Sequence, residues 1–78
     1  MVNANKQEYS IGDVVIYAYT DSMVHEYIGM LHEYLPSSNV NKQAYRINDG
    51  IALRVVFKHE IRRRATLVET LKFMVCNV

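Results

Sequence analysis

The chain holds no tryptophan, one cysteine, one proline and three glycines in 78 residues. A lone Cys76 allows no intramolecular disulfide, which suits a reducing compartment, so a cytoplasmic protein is expected. No apolar run approaches the roughly 20 residues of a membrane span, and residues 1–6 lack the apolar stretch of a secretory signal. None of the three glycines falls in a phosphate-loop pattern. Net charge is only +1, too little for a global field that would select a polyanion. No Pro- or Gly-rich linker divides the chain, so one domain over 9–78 is expected behind a loose tail at 1–8.

What is abundant points to a folded chain. Hydrophobic residues make up 50% of it, which argues against disorder. Six are tyrosines, whose apolar body and polar tip suit half-buried sheet faces and interfaces. Gly12-Asp13 reads as a turn feeding a β-branched strand over 10–19. Alternation sets Val14, Ile16 and Ala18 on one face and Val15, Tyr17 and Tyr19 on the other. Both faces are apolar, so this strand should be covered on both sides.

Two segments read either way. Over 23–35, apolar residues at 24, 27, 28, 31, 34 and 35 make a helical stripe, with Asp21 or Ser22 as N-cap and Pro36 beyond its end. Gly29 opposes that reading, since it costs a helix interior about 1 kcal/mol relative to Ala. Read as a strand, the same segment uses Gly29 as a bend or bulge. Over 65–78, Ile61, Ala65, Val68, Leu71 and Val75 suit a helix, the preferred reading. Leu67, Leu71, Phe73 and Val75 suit a strand, with Glu69 on the wrong face. Between these segments, Tyr45-Arg46-Ile47 and Ile51-Ala52-Leu53 flank Asn48-Asp49-Gly50. A three-residue loop would set Ile47 opposite Ile51 and Tyr45 opposite Leu53, with Gly50 left-handed and Val55 and Phe57 extending the same apolar face. Lys58-His59-Glu60 reads as a turn or a short helical turn.

The order of these signals resembles the SH3-like small barrels, in the wide sense that includes KOW and Tudor-type modules. Ile11-Gly12-Asp13-Val14-Val15-Ile16-Tyr17 looks like the opening strand and Tyr27-Ile28-Gly29-Met30-Leu31 like the second. Tyr45-Arg46-Ile47 through Leu53-Arg54-Val55 look like the middle hairpin, and His59-Glu60-Ile61-Arg62 like the turn that ends such barrels. The resemblance covers residues 9–64 and implies a binding module, with no ligand specified. The stripe at 24–35 and the fourteen residues after Arg64 depart from the pattern. The expected fold is therefore mainly β: an SH3-like barrel of about five strands with a C-terminal helix. The alternative is an α+β fold of order β-α-β-β-α, with 23–35 packed as a helix on an antiparallel sheet.

Chemistry-bearing residues are few. Arg54, Lys58, Arg62, Arg63 and Arg64 fall within eleven residues and could contact phosphates or an acidic partner, with nearby tyrosines stacking on bases. The plainer reading is a solvated edge that pairs with Glu60 and Glu69. His25-Glu26, His32-Glu33 and His59-Glu60 do not have metal-site spacing. On a helix the first two histidines would stand about 10.5 Å apart along the axis, and on a regular strand they would point to opposite faces. Cys76, in an apolar neighbourhood, reads as a small filler, and no serine sits in a nucleophile motif. No catalytic residue, metal or cofactor is expected, and a chain this short struggles to wall a deep pocket.

Binding a protein, or another copy of the chain, is the function expected. Tyr17, Tyr19, Tyr27, Tyr34, Leu71, Phe73 and Met74 are the candidate interface. They include part of an apolar surplus at 67, 68, 71, 73, 74, 75 and 78. Free-standing modules of this size look like regulatory or accessory proteins, phage inhibitors among them. Nucleic-acid binding through Arg54, Lys58 and Arg62 to Arg64 is the alternative.

Overall fold

The computed structural model describes residues 9–19 and 25–76. The tail expected at 1–8 and the expected N-cap at Asp21 or Ser22 lie outside the described residues. Five strands, β1 (Val14–Tyr17), β2 (Tyr27–Leu35), β3 (Ala44–Asn48), β4 (Leu53–Phe57) and β5 (Ile61–Arg64), precede one helix, α1 (Leu67–Cys76). All neighbouring strands are antiparallel, in the order β4-β3-β2-β1-β5. The class is mainly β, as expected. The helical alternative for 23–35 is overturned by β2, and the preferred helix over 65–78 is present as α1.

Connectivity forces the sheet to curl. The edge strands β4 and β5 would stand about 19 Å apart in a flat five-stranded sheet. A single 3-10 turn, Lys58–Glu60, joins them directly, and three such residues advance only about 6 Å. The turn is held by Glu60, a buried carboxylate whose Oε1 accepts from Phe57 N at 3.0 Å. Its backbone is tied to both sides: Lys58 N donates to Gln43 O at 2.8 Å, and Ala18 N donates to Glu60 O at 3.0 Å. The sheet remains open, because the β4 and β5 edges share no ladder.

The longest strand, β2, makes the bend. Residues 27–30 pair with β1 and residues 30–35 with β3, so its two neighbours meet only at Met30. A bulge at His32 twists it further. On the concave face Val15, Tyr17, Leu31, Tyr45, Ile47, Val56 and Ile61 form the core. Gly29 allows β2 to close onto β3. A Cβ there would lie 2.3 Å from Ile47 Cγ2 and 3.1 Å from Asn48 O. The residue that weighed against a helix is thus required by this strand.

β1 is buried along its whole length, as its two apolar faces implied. It is shorter than the 10–19 expected, because Ser10 to Asp13 close a turn. Asp13 N donates to Ser10 O at 3.0 Å, Ser10 N donates to Asp13 Oδ2 at 2.9 Å, and Gly12 takes a positive φ of 98°.

The β3–β4 hairpin differs from expectation by three residues. Asn48 pairs with Leu53, Ile47 with Arg54 and Tyr45 with Val56, leaving a four-residue loop at 49–52. Polar side chains pull the loop longer. Asp49 Oδ1 accepts from the backbone N of both Ile51 and Ala52 at 2.9 Å, and Asn48 Oδ1 accepts from Gly50 N at 2.8 Å. Gly50 is left-handed, as expected. An odd shift reverses the faces. Val56 enters the core at 0% exposure, while Val55 (51%) and Phe57 (39%) turn outward with Leu53.

Replacing Gly29 with Ala should overpack the β2–β3 contact and cost about 1–3 kcal/mol in urea denaturation. An unchanged midpoint would mean that the strands do not approach this closely.

Candidate interaction surface

The basic residues do not form one patch. On β5, Arg64 pairs across from Val15 on the core side and Arg63 from Ile16 on the other face. Each arginine of the run has a carboxylate. Arg63 makes a two-pronged bridge to Glu69 at 2.8 and 2.9 Å, Arg64 Nε lies 3.2 Å from Asp13, and Arg62 Nε lies 3.9 Å from Glu26. Arg64 also lies over the Tyr9 ring, 5.1 Å from its centroid. Arg54 hydrogen-bonds Asp49 in the hairpin loop. That bond and the loop amides hold the Asp49 carboxyl at about 2, well below its ordinary value. Lys58 is half-buried on the 3-10 turn. Of the two acids expected to pair with the run, Glu69 does so. Glu60 accepts from Phe57 N within its own turn.

Three tyrosines gather where β1 ends and β2 begins. Tyr17, Tyr19 and Tyr27 have ring centroids 5.6–5.8 Å apart. With Asp49 and Arg54 they line a cleft of about 240 Å³. Tyr17 is the floor rather than a surface residue, being 1% exposed. Burial first, and the neighbouring Tyr19 second, push its hydroxyl up to about 12. Tyr19 and Tyr27 supply the accessible ring surface, suited to a flat apolar or cationic group. Tyr34 stands apart, packed on Tyr45 at 5.1 Å.

The cleft adjoins a groove of about 450 Å³ that runs beneath α1, and Tyr27 and Asp49 border both. Ile16, Ile28 and Phe73 give the groove an apolar lining, and Glu69, Lys72 and Cys76 border it from the helix. Cys76 is exposed at the end of α1, not the buried filler expected. Among the described residues, no cluster of three or more His, Cys, Asp or Glu side chains could hold a metal ion, and no helix is long and apolar enough to cross a membrane.

Local chemistry starts α1 cleanly. Thr66-Leu67-Val68-Glu69 forms a capping box: Glu69 N donates to Thr66 Oγ1 at 3.2 Å and Thr66 N donates to Glu69 Oε1 at 2.8 Å. This signature was legible in the sequence and was missed. Phe73 is the one buried side chain on the helix. The widest apolar stripe of the helix faces water. Leu67, Val68, Leu71, Met74 and Val75 are each 45–74% exposed. At 3.6 residues per turn these five fall within an arc of about 120°, with Phe73 on the opposite side. Of the candidate interface, Leu71 and Met74 are therefore presented to solvent, while Phe73 and Tyr17 are not.

Glu69 is held at about 2, below its ordinary 4.5, first by the Arg63 hydrogen bond and then by the Thr66 amide. A carboxylate with a lowered folded pKa stabilises the fold fully above its unfolded value, and that contribution is lost as pH falls from about 4.5 through 2. Far-UV circular dichroism should show α1 loosening across that window. In a Glu69→Gln variant the helix should be weaker at neutral pH, with that part of the acid dependence gone. Identical acid profiles would sink the assignment.

No family model, curated protein or solved structure matches the chain.

Proposed function

We propose that the chain is a non-enzymatic protein-binding module of the SH3-like small-barrel kind, working in the cytoplasm as a regulatory or accessory protein. One observation carries the binding reading: the widest apolar stripe of α1 points away from its own sheet. A surface helix ordinarily buries such a stripe. Here five large side chains are left in water while a single Phe73 seats the helix. Their exposed area is about 500 Å², at the upper end of what a monomer shows in one patch, and patches of this kind mark interaction sites. The barrel reading is supported by the curl, by the return of β5 beside β1, and by the 3-10 turn where the resemblance set the closing turn.

Phosphate binding by the arginines draws less support. A nucleic acid would have to displace Asp13, Glu26, Asp49 and Glu69 from guanidinium groups that lie on different faces.

Leu71→Glu and Met74→Glu should each abolish capture of the proteins that the wild-type chain retains from its source cell, whereas Arg62→Glu with Arg64→Glu should leave that capture intact. Capture that falls steeply with salt, disappears with the arginine variant and survives Leu71→Glu would reverse the ranking of the two readings.

A further inference from the structure

We infer that the occupant of the α1 stripe is a second copy of the same helix, paired antiparallel about a two-fold axis at Leu71. The inference rests on the protein-binding reading above and names its partner.

The stripe is symmetric about its centre. Its members stand at −4, −3, 0, +3 and +4 from Leu71. In an antiparallel pair crossing at that residue, Leu67 of one copy meets Met74 of the other, Val68 meets Val75, and Leu71 meets Leu71. A two-fold interface demands this self-matching, in which residue i contacts j and j contacts i. The only charged residues of α1, Glu69 and Lys72, lie outside the stripe. Both stand about 100° or more from the centre of the stripe, so the pairing buries neither charge, and the two copies of Lys72 face each other only across the exposed rim.

Size also fits. Complete burial of about 500 Å² from each copy would give about 1,000 Å² in total, the threshold that a specific interface has to clear. The meeting side chains are leucine, valine and methionine, which pack helices at ordinary separations of about 8–10 Å. The seat of α1 on its sheet need not change. The Arg63–Glu69 bridge and buried Phe73 lie on the side away from the stripe.

Light scattering coupled to size exclusion should give twice the 9.1 kDa chain mass for the wild type. Leu71→Glu and Leu71→Lys should each run as monomers with unchanged circular dichroism, because residue 71 faces its own copy and like charges then meet. Mixing the two in equal amounts should restore the dimer. A wild-type monomer, or a dimer indifferent to Leu71→Glu, overturns the inference, and a mixture that stays monomeric overturns the crossing at Leu71. The outcomes separate the two readings. A wild-type monomer whose capture of other proteins still depends on Leu71 removes the second copy and keeps the binding surface; one whose capture ignores Leu71 removes both.

Discussion

The fold depends on the close approach of β2 to β3 at Gly29. A side chain there would collide with Ile47, one of the most deeply buried residues. Without one, the strand can turn from its pairing with β1 to its pairing with β3 within a few residues. That turn brings the inner faces of β1, β3 and β4 around a common core. It also brings the two sheet edges near enough for a three-residue 3-10 turn to join them. A domain of this size buries only about 60% of its unfolded surface, so few other contacts could compensate for a lost bend.

A curled sheet has a convex face, and its covering is partial. Antiparallel pairing carries Val14, Ile16, Ile28 and Met30 onto that face, and α1 lies over part of it. The same row continues through Asn48 to Leu53, where β4 leaves Leu53, Val55 and Phe57 exposed. The hairpin register therefore has a consequence beyond the hairpin. Had the loop closed at three residues, those side chains would have faced inward. Polar side chains at Asn48 and Asp49 satisfy a longer loop and so decide what the sheet shows to solvent.

Much of the architecture was readable because local and long-range preferences agreed there. Gly12 marked the opening turn, β-branched Val14-Val15-Ile16 marked a buried strand, and Lys58-His59-Glu60 marked the turn between β4 and β5. The segment 23–35 was ambiguous because its apolar spacing fits both periods. Only the contact between Gly29 and Ile47, eighteen positions away, decides it, and pairing partners are not visible in a local pattern. The hairpin misled because hydrophobic matching favoured one register while side-chain hydrogen bonds to the loop favoured another. For the site, Leu71 and Met74 were found from apolar surplus alone. Which side of the helix faces the sheet is set by Arg63 and Phe73, and no periodicity states that a stripe will be turned outward.

The two candidate surfaces differ in what a partner must break. On the arginine edge, carboxylates already occupy the guanidinium groups, so an anion gains only the difference between two similar interactions, and in water that difference is small. On α1 the described residues leave the stripe exposed, and burying it releases water from apolar area with no ion pair lost. The bridge from Arg63 to Glu69 joins the two surfaces. It neutralises the arginine and also holds the helix by its first turn with the apolar side outward. The ion pair that weakens the case for a polyanion is thus the one that presents the stripe to a partner.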